Sequence, residues 1–323
     1  MKGDGKMENY GIFNAPDNSV SNLVRLAEEE ASDAELRLCE MSFVAESTAQ
    51  RIKELISEGM SIAEIFALLA EEITIPECEL VDGEVMAEAV DAVGAFLKIL
   101  SAQDRANFSA LLKEKLSEID INVSESDFLP EGTPQQNFVY VKSALADEAF
   151  DVFSQEFSDP RVAYAESFKD ACFGVADKKY GYSILPFEEK RSSRIPSIFK
   201  LISDLDLKIV AITPVFGFEG NADMKYALVG RDFKIPECDE GTDRYFEISI
   251  PKNSVRLSEL LYVAELFRND IYKVSTSIDD ENSEKSFYSL IFKNGGKPFA
   301  ELLVYLSLFA GEYIPVGIYK NIE

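Results

Sequence analysis

The sequence contains no histidine. That absence removes the commonest general base and metal ligand, and with it every serine-histidine or cysteine-histidine nucleophile scheme. Cysteine is scarce too. Cys39, Cys78, Cys172 and Cys238 show no paired spacing, so they signal neither a zinc site nor a disulfide framework and read as reduced, buried thiols. No apolar run approaches the roughly 20 residues of a membrane span, and the polar start MKGDGKMENYG lacks the apolar core of a signal peptide. Cations are also short, with 32 Lys and Arg against 58 Asp and Glu and a formal net charge of -26. Nucleic-acid binding rests on Lys and Arg neutralising phosphates, so this balance argues against a nucleic-acid partner and equally against an anionic membrane. It would also repel a dianionic ligand unless cations lined the pocket. A cytoplasmic protein is expected.

What is present points to a multidomain α+β chain. Its 323 residues exceed one compact domain. Residues 1–123 read as a helical domain, because apolar positions recur every three or four residues from Ser19 to Ile119, with Gly59, Ser61 and Pro76 as stop and start signals and Ser101 as an N-cap. Four or five amphipathic helices predict a small bundle. The order of these helices invites comparison with the chorismate mutase module, although that module's inward Arg and Lys pattern is missing. SESDFLPEGTPQQN, at 124–137, reads as a polar linker. Over 138–240 strand and helix patterns alternate through NFVYV, RVAYAE, YGYSILP and LKIVAITPVF, which predicts a mainly parallel sheet covered on both faces. Residues 243–323 read βαββαβ, a ferredoxin-like unit.

The run SFKDACFGVADKKYGYSILPFEEKRSSRIPSIFKLISDLDLKIVAI, Ser167 to Ile212, resembles the first lobe of prephenate dehydratase. Tyr180, Gly181, Pro186 and Glu188 match, in order, that family's Asp-Tyr-Gly strand and Pro-Ile-Glu-Asn-Ser turn. The βαββαβ unit is similar to an ACT domain, the regulatory module that binds phenylalanine at a dimer interface in many such enzymes. The resemblance covers about Phe138 to Glu323 and leaves the N-terminal helices outside. It implies a lobe related to the periplasmic binding proteins. It also implies decarboxylative dehydration of prephenate to phenylpyruvate in aromatic amino-acid metabolism, with no cofactor, either metal or nucleotide.

The departures from that family are as informative as the matches. Glu189 and Lys190 stand where the family has Asn and Ser, and an ionised Glu accepts hydrogen bonds but cannot donate them to a substrate carboxylate. VYVKSALADEAF lacks the glycines of the family's first loop, so backbone approach to an anion loses its usual support. Met224, Lys225 and Tyr226 replace the Thr-Arg-Phe motif; a thioether donates no hydrogen bond, and Lys lacks the bidentate fork of Arg. Only PVFGFEGNAD separates LKIVAIT from MKYALVG, where the family inserts its second lobe, which predicts a single lobe and half a binding site. Ser254, Val255, Arg256, Leu257 and Ser275, Thr276, Ser277, Ile278 stand in place of the ACT ligand loops.

The reading these features favour is a non-catalytic relative of prephenate dehydratase that binds a small anionic or aromatic ligand or a protein partner. The alternative is an active dehydratase with a rearranged site; a regulatory subunit of an aromatic-pathway enzyme is a third reading. Glu188 and Lys225 are the candidate catalytic residues. Lys190, Arg191 and Arg194, with Ser192 and Ser193 between them, are the candidate ligand contacts, being the densest cationic cluster in an acidic chain. Ser254, Arg256, Ser275 and Ser277 are the candidate effector contacts. The plain alternative is that Glu188 and Glu189 are solvated charges where a strand surfaces and that the cations merely neutralise them. A homodimer through the ACT-like unit is expected, since KPFAELLVYLSLFAG offers apolar surface to bury.

Overall fold

The computed structural model describes residues 18–74, 87–189, 194–216, 222–237, 241–278 and 286–322. Four helices come first: α1 (Asn18–Ser57), α2 (Ile62–Thr74), α3 (Ala87–Ile99) and α4 (Ala102–Glu118). Their ends follow local chemistry. Gly59, at φ 99°, supplies the left-handed residue that closes α1. The Ser61 N–H donates to Glu64 Oε2 at the start of α2, and Ser101 Oγ accepts from the Asp104 N–H as the N-cap of α4. Among the described residues no helix is long and apolar enough to cross a membrane.

The remaining elements are β1 (Asn137–Val141), α5 (Ala144–Ser154), β2 (Arg161–Ala165), α6 (Phe168–Ala176), β3 (Tyr182–Glu189), α7 (Pro196–Asp204), β4 (Lys208–Phe216) and β5 (Ala222–Gly230). β6 (Arg244–Pro251), α8 (Leu257–Leu266), β7 (Asp270–Ile278), β8 (Ser286–Asn294), α9 (Ala300–Phe309) and β9 (Ile314–Asn321) complete the chain. All nine strands join one sheet in the order β2-β1-β3-β5-β4-β9-β6-β8-β7. The sheet is mixed rather than mainly parallel. β1 runs parallel to β2 and β3, but β5 runs antiparallel to both β3 and β4. The reason lies in the short β4–β5 connection, residues 217–221, which can only return the chain as an antiparallel neighbour. The four C-terminal strands pair antiparallel among themselves, and β9 docks parallel on β4. Gly317 permits that docking, because a Cβ there would lie 2.6 Å from the Ile209 carbonyl oxygen.

Strand alternation divides the sheet into two faces. Phe138, Tyr140, Tyr182, Ile184 and Leu228 pack under α5, whereas Val139, Leu185 and Val229 pack under α6 and α7. In the C-terminal strands Phe246, Ile248 and Phe292 join α8 and α9, and Tyr245, Ile291 and Tyr319 join the α6/α7 side. The N-terminal helices form a further layer. Phe66 and Leu69 of α2 and Phe108 and Leu112 of α4 share one core with Leu303, Tyr305 and Leu306 of α9. Helix α9, read from sequence as a pairing surface, is therefore covered within its own chain. The segment read as a polar linker is also fastened down: the buried Glu125 accepts from Arg244 Nη2 at 2.7 Å and from the Phe299 N–H at 2.7 Å.

Candidate functional site at the carboxyl end of β3

Strand β3 reads Tyr-Ser-Ile-Leu-Pro-Phe-Glu-Glu, and its first residues pair regularly with β5. Regular pairing stops at Pro186, which lacks the N–H a central strand would use. Pro186 lies opposite Tyr226 and Glu188 opposite Lys225, so Phe187 is the extra residue of a β-bulge. Phe187 lies on the same α6/α7 face as Leu185, two residues before it, and is buried there.

Two ionic clusters form where this strand end meets the C-terminal strands. In the deeper one, Arg194 makes a two-pronged pair with the fully buried carboxylate of Glu247 on β6. Ser289 Oγ donates to Glu247 at 3.4 Å, and Tyr319 OH donates at 3.3 Å. The guanidinium stands 4.8 Å from the Phe187 ring centroid and 5.3 Å from that of Phe199. Burial works against the Arg194 charge, but the Glu247 carboxylate outweighs it and leaves the guanidinium above its ordinary value. Burial, reinforced by Glu247, also holds the Tyr319 phenol well above the usual tyrosine range.

The shallower cluster centres on Glu188. Its carboxylate accepts from Lys273 Nζ at 3.0 Å and lies 3.8 Å from Lys225 Nζ. Lys273 belongs to edge strand β7, although β5, β4, β9, β6 and β8 lie between β3 and β7 in the sheet. Only a strongly curled sheet brings those two strands within reach of one carboxylate.

Glu188 and Lys225, singled out in sequence, are thus side by side, and Arg194 bridges to the backbone of Glu188. Lys190, Arg191, Ser192 and Ser193 lie outside the described residues. Ser254 Oγ donates to the Pro251 carbonyl at 2.8 Å in the turn after β6, and Arg256 is exposed at the start of α8. Ser275 and Ser277 stand on β7, opposite Ser289 and Phe287. The four candidate effector residues therefore occupy two separate elements. Sequence reasoning missed Lys273, Glu247, Ser289 and Tyr319. Glu247 did leave a signal, since it is the one acid in the apolar strand RYFEISIP and shares a face with Tyr245.

The paired arrangement has a chemical consequence. Each described cation at this strand end already faces a carboxylate of the same chain, and Tyr319 is kept neutral. Among the described residues no group of three or more Cys, Asp or Glu side chains converges as a metal set.

No protein-family model matches the chain, and no curated protein matches it. Among solved structures the chain is similar to prephenate dehydratase from Streptococcus mutans, at 14% identity and a TM-score of 0.47, over 58% of this chain and 100% of that one. It is similar to a structure described as GqqA, a novel type of quorum quenching acylase, at 17% identity and a TM-score of 0.45, over 58% of this chain and 95% of that one. Prephenate dehydratase from Arthrobacter aurescens in complex with L-Phe is similar at 11% identity and a TM-score of 0.42, over 57% of this chain and 90% of that one.

Proposed function

We propose that this chain is a non-catalytic, prephenate-dehydratase-like protein with an ACT-like C-terminal unit, one that binds a small ligand or partner rather than turning over prephenate. The observation that carries this reading is the pairing of Glu188 with Lys225 and Lys273 and of Glu247 with Arg194. A site for prephenate must hold two carboxylates, and the described cations nearest the matching motif are already neutralised by carboxylates of the chain itself. The five-residue connection between β4 and β5 supports the same reading, because a two-lobe cleft needs a second lobe and residues 217–221 are too few to supply one.

The test is direct incubation of the purified protein with prephenate. No phenylpyruvate is expected above the buffer control. Turnover at an enzyme-like rate that falls in both Glu188→Gln and Lys225→Ala would overturn the proposal and establish the working-site alternative. That alternative draws its support from Lys273, which adds a charged wall from the C-terminal strands to the cluster. A thermal-shift panel with chorismate, phenylpyruvate and the aromatic amino acids identifies the ligand class.

A further inference from the structure

Two strand irregularities, far apart in the sheet, aim charged side chains at one point. Strand alternation would return Glu188 to the α5 side with Pro186 and Tyr226, but the extra residue at Phe187 sets it opposite Lys225 on the α6/α7 side. On β7 the register shifts between Ile271 and Lys273, so Lys273 leaves the α8/α9 side of Ile271 and stands opposite Ile291, again on the α6/α7 side. Removing either bulge would put Glu188 and Lys273 on opposite faces.

The charges that meet there do not balance. Glu188 spans the two ammonium groups, with Oε1 accepting from Lys273 Nζ at 3.0 Å and Oε2 lying 3.8 Å from Lys225 Nζ. The second distance is too long for a hydrogen bond, so the Lys225 ammonium meets no acceptor among the described residues. Counted with the Arg194–Glu247 pair beneath, three described cations share two carboxylates, which leaves one positive charge in a chain whose net charge is -26. Glu189 does not cancel it, because it stands opposite Met224 on the α5 side. The three side chains are 25% exposed at Glu188, 27% at Lys273 and 35% at Lys225, so a dissolved anion can reach them.

We infer that Lys225 and Lys273 form a binding site for one small carboxylate, in which Glu188 is the resident occupant that an external ligand displaces. This rests on the reading of the chain as a binding protein and names the ligand class. The resident group itself supplies the chemistry, since a ligand carboxylate presents the same two oxygens and takes over both contacts. Glu188 yields because ion pairs this exposed hold weakly. One surplus charge suits one carboxylate, so a monoanion is favoured over a dianion such as prephenate. Pro214, opposite Lys225, and the half-exposed Tyr272, whose ring stacks edge-on against Tyr245, add apolar surface on the same face. The site therefore fits a monocarboxylate with an apolar body.

Titration of the full chain with benzoate, acetate and phthalate at fixed ionic strength, followed by amide NMR, tests the site. Benzoate should saturate it with a Kd of roughly 1–10 mM and move the Glu188, Lys225 and Lys273 signals together, with acetate and phthalate binding no more tightly. Glu188→Ala removes the competitor and should tighten benzoate about threefold or more, whereas Lys225→Gln and Lys273→Gln should each weaken it about fivefold or more. All three side chains are partly exposed, so circular dichroism should stay unchanged in each variant. A Glu188→Ala chain that binds no benzoate, binding that survives both lysine substitutions, signals that move elsewhere in the wild-type chain, or tighter binding of acetate or phthalate would each overturn the inference. Turnover of prephenate would overturn the non-catalytic reading instead, and the benzoate titration separates the two failures.

Discussion

Strand β6 carries a buried charge on each face, and the two are used differently. Arg244 points to the face packed with α8 and α9 and meets Glu125, from the segment that follows the N-terminal helices. Glu247 points to the opposite face and meets Arg194, from the segment that follows β3. Both pairs are almost wholly removed from solvent, with side-chain exposures of 5% and 7% in the first and 10% and 0% in the second. The first fastens a connecting segment beside the core. The second holds the chain next to the candidate site, and a quarter-exposed carboxylate, Glu188, sits directly above it between two lysines. The comparison separates a cation that is structural from one that could exchange partners, since a buried pair loses far more than an exposed one when a partner is removed.

The largest break in this comparison is expected from Arg244→Ala, which leaves the Glu125 carboxylate buried with only the Phe299 N–H as donor. Chemical denaturation should show a loss of about 3–5 kcal/mol. Arg194→Ala should cost somewhat less, about 3 kcal/mol, because Ser289 and Tyr319 remain as donors to Glu247. Equal losses in the two variants would mean that those hydroxyls do not compensate.

Alkaline titration sharpens the difference next. Tyr319 is held neutral by burial beside Glu247, so its folded pKa exceeds the unfolded value near 10. Below pH 10 both states keep the proton. Above it the unfolded state releases the proton first, so stability falls as the pH rises from 10 toward the raised folded value. Tyr182, pushed up to about 12 by burial and then by Asp232, adds to the same slope. Tyr319→Phe should reduce the alkaline loss without changing stability near neutral pH by more than the one hydrogen bond removed, about 1.5–3 kcal/mol. The smallest effect belongs to Glu188→Gln. Its pairs are partly exposed and screened, so denaturation should move by no more than about 1 kcal/mol.

Much of the chain's local structure was legible in residue patterns. The helical period from Ser19, the breakers around Gly59 and Ser61 and the cap at Ser101 all act within one or two turns, and they appear where the sequence places them. The register of Glu188 with Lys225 was half legible, because Pro186 announces a break in a central strand but does not say that Phe187 bulges. The partners of the candidate site were not legible. Lys273 is 85 residues from Glu188 and Arg194 is 53 from Glu247, and no periodicity links residues so far apart.

The sequence by itself determined the lack of histidine chemistry, the acidic balance of charge, the order of helices and strands, and a connection between β4 and β5 too short for a second lobe. These follow from composition and from interactions a few residues long. Only the tertiary structure decided that β9 joins β4 into a single sheet, that β5 runs antiparallel to β3 and β4, that the N-terminal helices cover α9, and that the described cations near Glu188 are already paired. Those outcomes depend on how faces with similar apolar patterns choose among one another, and that choice rests on close approach at Gly317 and on burial of Glu125 and Glu247.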